Sequence, residues 1–356
     1  MERSKRAGPY VITRLAAGGF SAEYAPGPAR DGRLRLAEGL AKQGLQSGRR
    51  KKVVRYCDEE RWPYGEGEPM KVLVIGGDGM TGHMLLRYLA ACTSYEVFYT
   101  TEHGKTDCGR SWPLPGAGLY LDASDSVMVD KLVEAVRPDL IVNALGIMYD
   151  AARQRELEAV RINGLLPHQL AELADRLRAR LIQISTDSVF LGNRGRYEER
   201  HVPDGTTTYA RTKALGEVVR PPHLTIRTSL IGPELQEEGS GLLPWFLRQR
   251  GEIRGFVRVP WNGVTTLELA RFIHYAAERG DRLSGIVHLT AAESVSKYEL
   301  LERMKRIFDK RDVCIRPDDT VALDRTLRST RPELDFAVPG YDRMLEELRE
   351  WMETGP

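Results

Sequence analysis

The sequence is poor in the features that mark metal-binding, secreted and membrane proteins. Its 356 residues include only four cysteines, far apart and without a CxxC pair, so neither a zinc site nor a disulfide scaffold is predicted and reduced thiols are expected. The seven histidines show no ligand spacing, which predicts no metal. There is no apolar run of about 18 residues and no apolar N-terminal segment, so we expect a cytoplasmic protein without a membrane span or secretory signal.

A strong excess of one charge is also lacking. The net charge is only +2, so a basic nucleic-acid-binding protein is not expected. The balance is uneven, because residues 1–69 hold 14 lysines and arginines, nine acidic residues and 10 of the 34 glycines. We predict that they form a basic, glycine-rich, disordered extension. Contact between nucleic acid and the basic block at residues 49–52 is one alternative, and a natural start at Met70 is another.

From residue 70 onwards, apolar runs alternate with segments of helical spacing. Helices are predicted around residues 84–89, 125–136, 153–176 and 209–219, and strands at residues 71–75, 95–100, 139–143, 181–185 and 223–227. The alternation predicts an α/β fold with a Rossmann-type doubly wound parallel sheet. We expect residues 70–232 to form this dinucleotide-binding domain, with the catalytic residues. Residues 233–356 are expected to be mostly a smaller, substrate-binding part.

A glycine-rich turn follows the first predicted strand and opens a helix. Gly76, Gly79 and Gly82 have the spacing G-x-x-G-x-x-G, which permits a tight turn, close approach of a pyrophosphate and packing of helix on strand. The pyrophosphate is expected at the helix N-terminus. The second predicted strand has no acidic residue at its tip, and Thr100 or Lys105 would tolerate a 2′-phosphate there. This favours NADPH, with NADH as the alternative.

Further polar groups follow other predicted strands. Tyr209 and Lys213 form Y-x-x-x-K, a spacing that places both side chains on one helical face. A nearby ammonium favours the phenolate and is expected to lower the pKa of the tyrosine. Thr186 can donate to a carbonyl oxygen beside Tyr209, or can instead satisfy its own backbone. Asp122 can accept a hydrogen bond from an adenine amino group, or can be an exposed loop residue.

Together these segments resemble the extended short-chain dehydrogenase/reductase family, and more closely its dTDP-4-dehydrorhamnose reductase branch. The resemblance covers about four-fifths of the chain and rests on residues 76–82, 142–144, 162–167, 185–190, 209–213 and 227–229. It implies a nucleotide-sugar 4-ketoreductase of deoxysugar or surface polysaccharide biosynthesis. In that reaction Tyr209 protonates the C4 oxygen, Thr186 polarises the carbonyl, and Lys213 tunes Tyr209 and binds cofactor. The implied dinucleotide contacts are Gly76, Gly79, Met80, Thr81, Gly82, Asp122, Ala123, Ala144, Leu145, Gly146, Tyr209 and Lys213.

The substrate is expected to contact Thr186, Asp187 and Arg325. The guanidinium of Arg325 can hold the diphosphate of a sugar nucleotide bidentately, and a surface salt bridge is the alternative. Two positions depart from the branch, which usually has tyrosine where Ser188 stands and tryptophan where Leu230 stands. The nucleotide base and the sugar therefore stay open, as does a homodimer. No nucleic acid or membrane partner is expected.

Three other activities share this fold. A 4,6-dehydratase has a glutamate where Ser188 stands, and a serine hydroxyl is a poor base at neutral pH, which disfavours dehydration. A nucleotide-sugar epimerase uses the same tyrosine and lysine, but retains its NAD and returns the hydride. A non-catalytic dinucleotide-binding regulator is the third alternative, against which the presence of Tyr209 and Lys213 argues.

Overall fold

The computed structural model describes residues 5–7, 10–14, 20–24, 69–102, 114–235 and 241–355. The chain divides into two units, residues 1–58 and residues 59–356, each of which is described by itself. Among the helices of the described residues, none is both long and apolar enough to cross a membrane.

The described residues of the first unit form three short strands, β1 (Lys5–Ala7), β2 (Tyr10–Arg14) and β3 (Phe20–Tyr24). They pair antiparallel in chain order. The aromatic and β-branched residues of β2 favour extended backbone, while the disorder of residues 1–69 as a whole stays a prediction. The rest of the predicted extension, including the basic block at residues 49–52, lies outside the described residues.

The strands of the second unit are numbered along the chain. They are β4 (Lys71–Ile75), β5 (Glu96–Thr101), β6 (Ala117–Tyr120), β7 (Leu140–Asn143), β8 (Arg180–Thr186), β9 (Leu224–Thr228), β10 (Leu230–Ile231), β11 (Gly251–Arg258), β12 (Pro260–Trp261), β13 (Val264–Thr265), β14 (Gly285–His288), β15 (Val295–Ser296) and β16 (Val313–Ala322).

Seven of these strands form one parallel sheet in the order β14-β9-β8-β7-β4-β5-β6. The chain winds outward from β4 in both directions, so the switch point lies between β4 and β7, where such sheets bind ligands at the carboxyl ends of their strands. All residues of β7, β8 and β9 are buried, because helices cover both faces. The predicted fold class is confirmed.

The helices of the described ranges are also numbered along the chain. They are α1 (Met80–Cys92), α2 (Ser126–Val136), α3 (Tyr149–Gln154), α4 (Glu156–Ala159), α5 (Leu166–Leu177), α6 (Thr208–Leu215), α7 (Leu242–Arg248), α8 (Thr266–Arg279), α9 (Lys297–Ile307) and α10 (Tyr341–Thr354).

The long helix predicted at residues 153–176 is wrong in detail, because the structure interrupts it. Arg155 has a non-helical backbone between α3 and α4, and a π-helical turn at Val160–Leu165 precedes α5. The side chain of Asn163, inside that turn, exchanges two hydrogen bonds of 2.8 Å with the backbone of Ile147. This tertiary contact therefore stabilises the π-helical turn that interrupts the helix. Such turns often occur at functional sites.

The C-terminal third is interleaved with the sheet. β14 pairs with β9 and lies beyond the predicted boundary at residue 233, which stays a prediction. Two parallel bridges, Asn193 to Asp324 and Tyr197 to Leu327, bring the segment around Arg325 beside the residues that follow β8.

The redox state of one cysteine differs from the prediction. Cys92, at the end of α1, is disulfide-bonded, so the prediction of reduced thiols is wrong at this position. Distance along the chain does not prevent two cysteines from meeting in the fold. Cys314 is free and exposed.

Candidate active site

The turn between β4 and α1 is shaped for a close-approaching ligand. Gly76 has φ +79°, which favours glycine, and a Cβ at Gly82 would lie 2.1 Å from the Gly76 carbonyl oxygen. α1 begins after Gly79 without a side-chain cap, so the first N–H groups of the helix have no capping side chain. Free N–H groups at a helix N-terminus favour an anion. The turn therefore fits the pyrophosphate of a dinucleotide.

Two threonines at the end of β5 stabilise this turn through hydrogen bonds. The Gly76 N–H donates to the Thr100 hydroxyl at 3.0 Å, and the Thr101 hydroxyl donates to Asp78 at 2.7 Å. Because Thr100 is buried and supports the turn, its hydroxyl does not supply the predicted contact with a 2′-phosphate. Lys105, the other residue suggested for that contact, lies outside the described residues.

Asp122 closes a local turn after β6. Its Oδ1 accepts hydrogen bonds from the N–H and hydroxyl of Ser124, at 2.9 and 2.7 Å, and these bonds lower the pKa of the carboxyl group. Asp122 is exposed and Ala123 is buried in the core. This geometry matches the loop interpretation, while an adenine contact stays a prediction.

The loop after β7 connects the glycine turn with the predicted lysine. A Cβ at Gly76 would lie 3.0 Å from Leu145, and a Cβ at Gly146 would lie 3.9 Å from the Lys213 Nζ. The Asn143 side chain accepts from the Leu145 N–H at 3.2 Å and fixes the start of the loop. Residues 144–146 therefore lie between the turn and Lys213, in one crevice.

α6 carries Tyr209 and Lys213 into the interior. Thr207 caps the helix by accepting from the Ala210 N–H at 3.1 Å. The Lys213 Nζ donates to the Ile184 carbonyl at 2.8 Å, and burial lowers the pKa of Lys213 to about 8, with Glu217 opposing. A buried ammonium that keeps its charge at neutral pH can donate to further hydroxyl groups.

The predicted effect of Lys213 on Tyr209 is wrong. The pKa of Tyr209 is raised, first by burial and then by Tyr149 and Asp187, while the nearby Thr186 hydroxyl opposes the rise. Desolvation disfavours a phenolate, and here it outweighs any attraction to the ammonium. Tyr209 is therefore a neutral phenol at physiological pH, the state in which it can donate a proton.

The segment that follows β8 places three polar side chains beside Tyr209. The Thr186 hydroxyl accepts from the Ser188 N–H at 3.1 Å and donates to the Asp187 carboxylate at 3.2 Å. Thr186 therefore makes the local backbone contact, and its donation to a carbonyl oxygen beside Tyr209 stays a prediction. The Ser188 hydroxyl donates to the same carboxylate oxygen at 3.3 Å.

Arg325 reaches this segment from the C-terminal part. Its Nε donates to the Phe190 carbonyl at 2.8 Å, and its charge acts on Asp187 and Tyr149. The guanidinium therefore lies near Asp187 and Tyr149, and its contact with a substrate diphosphate stays a prediction.

Two residues of the crevice were not predicted from the sequence. Tyr149 has φ +38°, an uncommon backbone for a bulky residue, and its ring centre lies 4.9 Å from that of Tyr209. Lys297 begins α9, its Nζ lies 4.7 Å from the centre of the Trp261 ring, and it faces Asp187. A cation in the first turn of a helix is unfavourable, because it opposes the helix dipole. This unfavourable position of Lys297 was the sequence signal that could have marked it as functional. No local signal marked Tyr149.

A buried ion pair lies behind Lys213. The Arg227 guanidinium donates to the two oxygens of Glu217 at 2.7 and 2.6 Å, and the Ser185 hydroxyl donates to the same carboxylate at 2.8 Å. Such a bidentate pair fixes geometry as well as charge. It therefore anchors β9 and the end of α6 to β8.

The loop after β7 joins the glycine turn to Lys213, and Tyr209 lies in the same crevice. This arrangement indicates a dinucleotide-dependent oxidoreductase of the short-chain dehydrogenase/reductase class. Within that class, the family described as the RmlD substrate binding domain matches residues 70–335, and the chain belongs to this family.

Three comparisons illustrate the similarity. A "Probable dTDP-4,6-dihydroxy-2-methyloxan-3-one 4-ketoreductase" of Streptomyces antibioticus is 29% identical over 79% of this chain and 92% of its own length. "Methionine adenosyltransferase 2 subunit beta" of Danio rerio is 28% identical over 68% of this chain and 74% of its own. The solved dTDP-4-dehydrorhamnose reductase of Bacillus anthracis, in complex with NADP, has a TM-score of 0.66 and 21% identity, and covers 81% of this chain and all of that one. At that identity, the structure bears on the fold alone.

Proposed function

We propose that the protein uses NADPH or NADH to reduce the C4 keto group of a nucleotide-linked 4-keto-6-deoxy sugar, for deoxysugar or surface polysaccharide biosynthesis. The observation that carries this proposal is a buried Tyr209, kept neutral by burial, whose phenol lies near Thr186 at the carboxyl end of β8. A relative whose name is that of a dTDP-sugar 4-ketoreductase supports the substrate class.

The cofactor is assigned to the glycine turn, Asp122, Ala123 and residues 144–146. The N–H groups of Met80 and Thr81, in the uncapped first turn of α1, would hold the pyrophosphate. Lys213, beside Gly146, would donate to the ribose hydroxyls of the nicotinamide half. The dinucleotide supplies the hydride when bound. The Thr100 contact no longer supports NADPH, so both cofactors remain in the proposal.

The protein residues would manage the charge that develops on the C4 oxygen. Tyr209 donates its phenolic proton to this oxygen, and the Thr186 hydroxyl donates a hydrogen bond that polarises the carbonyl. Asp187 accepts from hydroxyl groups of the sugar, and Arg325 holds the diphosphate. Reduced nicotinamide and sugar nucleotides are cytoplasmic metabolites, so we expect the enzyme in the cytoplasm. A homodimer stays a prediction.

The test is a panel of dTDP-, UDP- and GDP-linked 4-keto sugars, followed by the absorbance of the reduced nicotinamide. We expect oxidation with at least one member of the panel. A Tyr209→Phe variant should bind cofactor normally and lose about 10²- to 10⁴-fold in kcat, because it lacks the donated proton. Cofactor binding without oxidation of any member would contradict the proposal.

The same panel separates the alternatives. An epimerase would interconvert sugars without net consumption of reduced nicotinamide, which product chromatography detects. The similarity to a protein named as a methionine adenosyltransferase subunit favours a regulator as the second candidate. In that case Tyr209→Phe would leave the biological function intact.

A further inference from the structure

Residues 324–328 are held on one edge like a short strand. The Tyr197 N–H donates to the Thr326 carbonyl at 2.8 Å, and the Arg328 N–H donates to the Tyr197 carbonyl at 2.7 Å. This is the hydrogen-bond pattern of a parallel pair, and it forms the bridge between Tyr197 and Leu327. Backbone groups alternate along an extended segment, so the N–H and carbonyl of Leu327 point to the other edge.

On that other edge a side chain takes the place of a neighbouring strand. Asn262, between β12 and β13, accepts from the Leu327 N–H at 3.1 Å and donates to the Leu327 carbonyl at 2.7 Å. Leu327 is buried, and its side chain belongs to a small apolar cluster with Phe190 and Tyr197. Because buried backbone groups need partners, loss of the Asn262 amide would leave two of them unpaired and favour movement of residues 324–328 towards solvent.

The same segment fixes the side chain of Arg325. Its Nε donates to the Phe190 carbonyl at 2.8 Å, and a Cβ at Gly192 would lie 2.9 Å from its Cγ, so the stem packs against this glycine. Among the described residues, the two Nη groups of Arg325 make no hydrogen bond or ion pair with the protein. Their N–H groups are therefore left for an anion that binds bidentately.

We propose that Asn262 is a positioning residue for the sugar-nucleotide substrate, because it holds residues 324–328 where the guanidinium of Arg325 can bind the diphosphate. This inference rests on the proposed function for the class of substrate, and Asn262 acts through Arg325 rather than on the substrate itself. Thr186 and Tyr209 belong to β8 and α6, and the glycine turn joins β4 to α1. Displacement of the segment should therefore weaken substrate binding rather than proton donation or cofactor binding.

The first test measures nucleotide binding and needs no turnover. Calorimetric titration with dTDP, UDP and GDP, each compared with its monophosphate, gives the affinity that the second phosphate adds. The wild type should bind one diphosphate about 10- to 100-fold more tightly than its monophosphate, because a bidentate guanidinium contact is charge-assisted. Arg325→Met should abolish this preference, and Asn262→Ala should reduce it at least about fivefold, because the guanidinium is no longer held in place.

The double variant separates positioning from a general loss of stability. Because Asn262 acts through Arg325, Asn262→Ala combined with Arg325→Met should match Arg325→Met alone within about twofold. With the keto sugar that the panel identifies, both single variants should raise KM. Their kcat and their dissociation constant for the cofactor should stay within about twofold of the wild-type values.

Arg349→Met is the matched control. It removes a hydrogen bond of 2.7 Å from α10 to the Ile307 carbonyl at the end of α9, away from residues 324–328. This variant should keep the wild-type preference for the diphosphate, whatever its melting temperature. Thermal unfolding of every variant checks that the fold is retained.

Three results would overturn the inference. A wild-type preference for the diphosphate in either single variant would show that Asn262 does not place Arg325 at a diphosphate. Additive losses in the double variant would show that the two residues act separately. Equal affinities of the wild type for each diphosphate and its monophosphate, or no binding of either, would show that this site is absent. If the wild type prefers a diphosphate through both residues but oxidises no reduced nicotinamide with any keto sugar, the proposed function fails and the role of Asn262 stands.

Discussion

At the scale of single residues, burial opposes charge on both members of the tyrosine–lysine pair. Desolvation raises the pKa of Tyr209 and lowers that of Lys213 to about 8, so at neutral pH the phenol is neutral and the ammonium is still mostly charged. This combination suits the reduction of a carbonyl group, because a neutral phenol can donate a proton to the carbonyl oxygen. It also makes the lysine sensitive to mildly alkaline pH.

The lysine gives the first prediction. Lys213 is protonated below pH about 8 and neutral above it, so donation to the cofactor ribose, and with it kcat/KM for the cofactor, should fall as pH rises through about 8. Lys213→Arg should lose this alkaline limb, because a guanidinium stays protonated. The pKa of Lys297 is also lowered to about 8, so Lys297→Met is the necessary control and should keep the limb. If Lys297→Met loses the alkaline limb and Lys213→Arg keeps it, the limb belongs to Lys297 and not to Lys213.

The buried ion pair behind Lys213 gives a prediction about stability. The side chains of Arg227 and Glu217 are 1 and 5% exposed, so Arg227→Met would leave a carboxylate buried without its partner. The free energy of unfolding should fall by about 3–5 kcal/mol, measured by urea titration. The comparison is Arg316→Met, whose pair with Glu252 is about 60% exposed on both sides, so its removal should lower the free energy of unfolding far less. Equal losses would contradict this account.

At the scale of elements, the turn between β4 and α1 separates two roles of glycine. A Cβ at Gly82 would collide with the Gly76 carbonyl at 2.1 Å, whereas a Cβ at Gly79 would lie 3.6 Å from its nearest neighbour. Gly82 is therefore required by packing of α1 against the turn. Gly79 has room for a methyl group in the protein itself, and we assign that room to the cofactor.

This distinction predicts different phenotypes for two alanine variants. Gly82→Ala should lower the melting temperature and weaken NADPH binding together, because the helix N-terminus must move. Gly79→Ala should keep the wild-type melting temperature and still bind NADPH more weakly, because its methyl group enters the space for the pyrophosphate. Fluorescence titration and thermal unfolding measure the two effects. Normal binding by Gly79→Ala would place the pyrophosphate elsewhere.

The sequence predicted the elements that are determined locally. β4, β7 and β8 are covered on both faces, so each appears as an apolar run, and the glycine turn and the Y-x-x-x-K spacing are local patterns. The break between α3 and α5 was missed, because it depends on Asn163 bonding a loop from another strand. Tyr149 was missed for the same reason. Its position in the crevice follows from a backbone conformation and a neighbouring ring that sequence spacing does not encode.

At the scale of the whole molecule, every described residue of the candidate site belongs to the second unit, residues 59–356. We therefore predict that a chain that begins at Met70 keeps cofactor affinity and reductase activity within about twofold. The comparison is made with a thiol reductant in both samples, so that the disulfide of Cys92 does not contribute to any difference. Loss of soluble, active protein on deletion would show that residues 1–69 support the second unit.

The position of β14 has a consequence for biosynthesis. β9 is translated well before its sheet neighbour β14, with β10 to β13, α7 and α8 between them. Until β14 leaves the ribosome, the nascent chain presents the unpaired backbone edge of β9, a strand that is fully buried in the folded protein, and such edges pair with other chains. Premature termination between β9 and β14 should thus yield insoluble fragments, even though the glycine turn, Thr186, Tyr209 and Lys213 have all been made.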